Sequence, residues 1–217
     1  MNSSTILEHA ETFVREHLAG DSSGHDWWHI DRVRRAALEI ARGEGADLFV
    51  VELAALLHDV SDWKFTGGDS SRGPNEVREW LQQQAVEPAT IDRVCQIISE
   101  VTFKGAGVAT PTTSLEGQAV QDADRLDAIG AVGIARAFAY GGSKGRAMVD
   151  PDISLEMHDS FAAYKKNSGP TINHFYEKLL LLKDRMNTAS GKRLADERHR
   201  FMEQFLAQFH AECAGQR

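Results

Sequence analysis

Apolar residues recur at intervals of three and four along nearly the whole chain, and nowhere does a strict apolar–polar alternation persist. This periodicity commits the sequence to an all-α fold, because a 3.6-residue repeat gives each segment one apolar face to bury. A first helix is expected over 5–19, with Ile6, Phe13, Val14 and Leu18 inward and Gly20 as its stop. Asp21 to Gly24 reads as a turn. The next helix spans 26–42, where His29, Val33, Ala36 and Ile40 share a face. Asp47 is placed to cap a helix over 48–59 that puts Val51, Ala55 and His58 on one side. Residues 64–74 are a Gly- and Ser-rich loop, followed by helices at about 75–85 and 89–101. Thr113 or Ser114 caps a helix that runs through Leu126 and on toward Tyr140. Residues 141–170 are the longest irregular stretch and a candidate lid. Helices at 171–186 and 192–212 close the chain, the last with Leu194, Phe201, Phe205 and Phe209 near one stripe.

Nothing repeats internally, and 217 residues with 42% hydrophobic content suit one compact helical domain with a real core. Residues 141–217 could instead pack as a C-terminal extension on an N-terminal helical core. A net charge of -8 argues against a non-specific nucleic-acid binder, which needs a basic face. It does not argue against an anionic substrate, since a bound divalent ion reverses the field of a cleft. The two cysteines, Cys95 and Cys213, form no metal-binding spacing and read as free thiols in a reducing compartment. The N-terminus lacks the apolar core of a signal peptide, and the stretch from Phe49 to Leu57 is too short to span a bilayer. A cytoplasmic location is the expectation.

Three polar anomalies interrupt the apolar helix faces: His29, the adjacent pair His58–Asp59, and Asp124. Burying such groups without partners costs several kcal/mol, roughly. A shared divalent cation satisfies all four at once. Two imidazoles with two carboxylates suit manganese, iron, cobalt, nickel or zinc better than the all-oxygen preference of magnesium or calcium. His58 and Asp59 leave a helix about 100° apart, so they meet at one ion only if it lies near the helix end. Each residue also has an ordinary reading: a hydrogen-bonded core histidine, a chance dipeptide, or a member of the Asp122–Arg125–Asp127 charge cluster. Their ordered occurrence on three helices favours the metal.

The order His…His-Asp…Asp resembles the HD superfamily of metal-dependent phosphohydrolases. The segments HDWWHIDRV (25–33), LLHDVSDWKF (56–65) and QDADRLDAIGAVGIARAFAYGG (121–142) are similar to its YedJ/YpgQ-like bacterial branch. So are HFYEKLLLLKDRMNT (174–188) and RHRFMEQF (198–205). The resemblance implies one HD domain over 1–217, with the HD core at about 20–130 and a C-terminal helical extension at about 141–217. It also implies metal ligands at His29, His58, Asp59 and Asp124, the last being the aspartate followed by Arg-Leu. His25 takes a supporting or substrate-binding role. No histidine lies between His58 and His158, where two-metal relatives draw further ligands, so one divalent ion is expected, manganese first and iron, cobalt, nickel, zinc or magnesium as alternatives. The same lack weighs against the two-iron oxygenase chemistry of some relatives.

An open site of this kind suits hydrolysis of a phosphate ester or anhydride. Its transition state is anionic, so cationic side chains should face it. Lys64, beside the His–Asp pair, is the first candidate; Lys104, Arg125, Lys144 and Arg146 follow, each with a solvated surface charge as the ordinary reading. Asp62 is the candidate for orienting the attacking water. Asp127, one turn after Asp124, is an acid/base or supporting group, with a salt bridge to Arg125 or another basic residue as the competing reading. Trp27, Trp28, Phe65 and Phe103 are candidates for stacking on a base, with core packing the stronger reading. No P-loop, HExxH or G-x-S-x-G element is present. The resemblance implies hydrolysis of a nucleoside or deoxynucleoside triphosphate to the monophosphate and pyrophosphate. A 5′-nucleotidase, a small-nucleotide phosphodiesterase and a non-catalytic metal-dependent nucleotide sensor are the alternatives. The expected partner is a small nucleotide, not a nucleic-acid polymer or a membrane, and the expected state is a monomer or homodimer.

Overall fold

The structure is a computed structural model that describes residues 2–19, 26–60, 72–101, 108–157 and 169–216, with side chains in the third segment from residue 74 onward. The described residues are helical, without strands. The helices are α1 (Ser3–His17), α2 (Trp27–Glu44), α3 (Leu48–Leu57), α4 (Arg72–Gln83), α5 (Pro88–Val101), α6 (Leu115–Asp127), α7 (Gly130–Ser143), α8 (Thr171–Glu177) and α9 (Ala189–Cys213), with two 3-10 turns at Leu179–Leu181 and Lys183–Arg185. Among the described residues no helix is long and apolar enough to cross a membrane. The chain forms two compact units, Met1–Phe103 with Ala109–Asp124, and Lys104–Val108 with Arg125–Arg217.

The first unit is built around α3. Asp47 caps it, accepting from the backbone N–H of Phe49 and Val50 at 3.1 and 3.3 Å. Val50, Val51 and residues 53–57 are buried, so the helix is apolar on every side, as a central helix must be. It packs against α1, α2 and α5. Glu52 is the one charge in the run, and Arg34 of α2 takes it: Nε donates to Oε1 at 2.7 Å, and Nη1 reaches Glu11 of α1 at 3.0 Å. Arg34 thus pins α1 and α3 to α2 and sets the register of α2 on α3. Along α2 the buried face is Ile30, Val33, Ala37, Ile40 and Ala41, with His29 at its start. The expected loop at 64–74 ends early, because α4 already includes Arg72 to Pro74. A proline in the first turn loses no hydrogen bond, so it does not delay the helix.

The second unit holds the end of α6 and the helices α7 to α9. The expected continuous helix from Ser114 toward Tyr140 breaks. Ser114 does cap α6, accepting from Gly117 N at 3.0 Å. The helix stops at Asp127, Ile129 is extended, and Gly130 restarts it with φ of +73°, outside the range of a right-handed helix. At Gly133 a Cβ would lie 2.2 Å from the Ala128 carbonyl oxygen, so the fold-back needs a bare backbone there. The expected helix at 171–186 also breaks, after Glu177, and becomes the two 3-10 turns. Their three-residue period puts Leu179 and Leu182 on one side, and both are buried. In α9 the inward stripe is Ala195, Met202 and Leu206, while Phe201 is exposed, contrary to expectation. Phe205 and Phe209 join Phe138 and Phe175 in an aromatic cluster with ring centroids 5.7–6.0 Å apart. The candidate lid at 141–170 begins after Ser143, and its residues 158–168 lie outside the described ones, as does the turn at Asp21 to Gly24.

Candidate metal centre

His29 stands in the first turn of α2. Asp26 caps that turn, its Oδ1 accepting from the His29 N–H at 3.0 Å, so the cap fixes the backbone that carries the imidazole. His58 and Asp59 follow the last residue of α3, where the central apolar helix ends. Both are buried for that reason, and their position at the helix terminus lets two successive side chains converge. Asp124 comes from α6, one turn before its end, with its side chain 32% exposed. These four residues belong to the first unit.

Each of the two imidazoles approaches both carboxylates. His29 Nε2 lies 3.2 Å from Asp59 Oδ2 and 3.7 Å from Asp124 Oδ1. His58 Nε2 lies 3.6 Å from Asp59 Oδ1 and 3.9 Å from Asp124 Oδ1. The imidazole centroids are 5.4 Å apart. Ligands at about 2.1 Å from one ion sit about 3.0 Å apart at right angles and about 3.4 Å apart at the tetrahedral angle; the 3.2 Å contact falls within that range, and the 3.9 Å contact of Asp124 with His58 exceeds it by about 0.5 Å. Among the described residues His29, His58 and Asp59 form a group able to hold an ion, with one ligand atom from each lying within 4.8 Å of the others; Asp124 stands beside that group, not in it.

His58 supplies a chemical test of whether a cation fits. Its Nδ1 lies 2.8 Å from the Ala55 carbonyl oxygen. A carbonyl only accepts, so Nδ1 carries a proton, and in the neutral ring Nε2 is then the atom with the lone pair. That Nε2 is buried and has no hydrogen-bond partner among the described residues. A buried acceptor in that condition costs about 1–3 kcal/mol. A divalent ion held by His58 together with Asp59, Asp124 and His29 would remove the cost, and the Ala55 carbonyl orients the ring toward that position. The donor set therefore fits a borderline divalent metal.

The other expected site residues are placed less directly. His25, Asp62, Lys64 and Lys104 lie outside the described residues. Arg125 is buried, and its Nη1 donates to the Arg185 carbonyl. Asp127 is buried and ion-paired, Oδ2 accepting from Arg136 Nη1 at 2.7 Å. Lys144 and Arg146 follow the C-terminus of α7, where both approach the Tyr140 ring with the charged group 5.6 Å from its centroid. The backbone N–H groups of Lys144, Gly145 and Arg146 are taken by the carbonyls of residues 140–142, so this Gly-rich turn is a helix cap and offers no backbone cradle for phosphate. The residues that sequence reasoning missed are the supports, Asp26 and the Ala55 carbonyl. Asp26 had a legible signal, an Asp three residues before the first inward side chain; a carbonyl has none.

An all-helical protein that gathers two imidazoles and a carboxylate into one group, with a second carboxylate beside it, falls in the class of HD-type metal-dependent phosphohydrolases. The HD domain family matches residues 27–129, and the chain belongs to that family. The uncharacterized protein YpgQ of Bacillus subtilis is 45% identical over 210 residues, covering 96% of this chain and 94% of YpgQ. The crystal structure of a Lactobacillus plantarum protein is similar with a TM-score of 0.88 at 40% identity, covering 99% and 100% of the two chains. That of an HD-superfamily hydrolase from Bacillus thuringiensis gives 0.75 at 44% identity, covering 98% and 99%. YpgQ crystallised in complex with ADP gives 0.75 at 39% identity, covering 97% and 100%.

Proposed function

We propose that this chain hydrolyses nucleoside or deoxynucleoside triphosphates to the monophosphate and pyrophosphate, using one divalent ion, manganese by preference, held by His29, His58, Asp59 and Asp124. The observation that carries the reading is the buried Nε2 of His58, without a hydrogen-bond partner among the described residues and facing two carboxylates and a second imidazole. The bound ion supplies Lewis acidity toward a phosphoryl oxygen and lowers the pKa of water. The protein does the rest. His29 and His58 are held by their helix cap and by the Ala55 carbonyl, so ligand geometry is set before substrate arrives. Asp124 is the most exposed of the four and marks the side from which substrate enters. Asp62 is assigned to orienting the attacking water. Lys64, Lys104, Lys144, Arg146, Arg125 and His25 are the proposed source of phosphate contacts, and Asp127 is proposed to act beside Asp124. ADP bound to a relative 39% identical over nearly its whole length supports a nucleotide substrate.

The test is a manganese-supplemented screen of nucleoside tri-, di- and monophosphates and cyclic nucleotides that scores pyrophosphate and phosphate separately. Pyrophosphate released from triphosphates, and lost in Asp124→Ala, is the expected result. Phosphate from monophosphates alone would make the protein a nucleotidase. Nucleotide binding with no turnover would make it a sensor.

A further inference from the structure

Asp124 differs from the other three groups of the candidate centre. His29, His58 and Asp59 are buried, whereas the Asp124 side chain is 32% exposed. It also stands close to the end of α6, which stops at Asp127. The last turn is closed by two backbone bonds of the tighter three-residue kind, Ala128 N–H to the Arg125 carbonyl at 3.2 Å and Ile129 N–H to the Leu126 carbonyl at 3.3 Å, and such terminal turns fray readily. Loosening of this turn would displace the Asp124 carboxylate from the imidazoles it faces.

Two arginines occupy that turn. Arg198 of α9 donates from Nη1 to the Leu126 carbonyl. Arg136 of α7 donates to the Asp127 carbonyl at 3.4 Å and to its carboxylate at 2.7 Å. The Arg198 stem lies directly on Gly130, where an added Cβ would stand 3.0 Å from both Cβ and Cγ of Arg198. The bare left-handed residue that ends the α6–α7 connection is therefore also what lets the Arg198 side chain reach the end of α6. A guanidinium against the negative end of a helix is favourable electrostatically as well. The Leu126 carbonyl thus accepts from both the Ile129 N–H and the Arg198 guanidinium.

We infer that Arg198 is a positioning residue for the metal centre: by holding the last turn of α6 it fixes the direction of the Asp124 carboxylate. The inference rests on the proposed ligand set. Arg198 acts through the helix and is not a catalytic residue.

The experiment is a calorimetric titration of manganese into the metal-free full chain, with the thermal midpoint of each metal-free protein measured alongside. Arg198→Met keeps the stem on Gly130 and removes the donors; it is expected to weaken manganese binding about 10-fold, the low end for groups that support a ligand. Arg198→Lys restores one charged donor and is expected to recover part of the loss. Leu206→Ala removes a buried side chain from the same helix and is expected to lower the midpoint without changing manganese affinity. In an Asp124→Asn background Arg198→Met should add little, because the group it positions no longer ligates. Should Arg198→Met fail to fold, weaker manganese binding by Arg198→Lys than by the wild type carries the comparison. If the Arg198 variants behave like Leu206→Ala, or their effect adds in full to Asp124→Asn, the inference is overturned while the metal centre stands. If the wild type binds no manganese, the metal reading itself fails and takes the inference with it.

Discussion

At the scale of single residues, the chemistry turns on which nitrogen of His58 is left over. The Ala55 carbonyl claims Nδ1, and Nε2 is left buried toward the carboxylates. His58→Ala should therefore abolish manganese binding and reduce turnover by more than about 100-fold, beyond the usual cost of losing a supporting group. It should leave the metal-free protein folded, which circular dichroism and the thermal midpoint check together with the isotherm. The grouping of His29, His58 and Asp59 was legible in the sequence because a polar group on an apolar helix face needs a partner, and these three show that anomaly plainly. Asp127 was ambiguous between chemistry and salt bridge. Its carboxylate is bonded to Arg136, nine positions on and across a break that the helical pattern around it does not announce. Arg125 was read from its charge, yet its burial depends on a 3-10 turn sixty residues away.

At the scale of elements, the helices themselves followed from periodicity, while their ends depended on local exceptions. The α6–α7 break is the clearest case, since the apolar pattern runs through it and only backbone geometry stops it. Gly133→Ala would drive a Cβ to 2.2 Å from the Ala128 carbonyl oxygen and should be strongly destabilising, by about 2–4 kcal/mol, within the range for severe steric conflict. Chemical denaturation checks this, and a loss under about 0.5 kcal/mol would mean the fold-back relaxes freely. Asp26→Ala removes the cap on the turn bearing His29 and should cost about 1 kcal/mol. That is about 2–4 °C in midpoint for a chain of this length, accompanied by weaker manganese binding because the same turn carries a ligand. The 3-10 turns after α8 escaped the sequence because Leu179 and Leu182 are three apart, a spacing that both helix types share.

At the scale of the whole molecule, charge and ligand set the conditions under which the fold is firmest. Burial would raise the Glu11 carboxyl, but the hydrogen bonds and charges of Arg15 and Arg34 outweigh it and hold it below its ordinary 4.5. A depressed carboxyl stabilises the fold above that value and loses its contribution as pH falls through the folded one. The stability gap between wild type and Glu11→Gln should thus be full at neutral pH and shrink below about 4.5, as acid denaturation midpoints would record. Manganese at 100 times its dissociation constant should add about 2.7 kcal/mol, removable by a chelator, if only the folded chain binds it. The most direct test is the anomalous scattering of manganese in a crystal of the protein. We predict one peak per chain, with Nε2 of His29 and His58 and one oxygen each of Asp59 and Asp124 at roughly 2.1 Å. A peak held by other residues, or none at saturating manganese, would contradict the account.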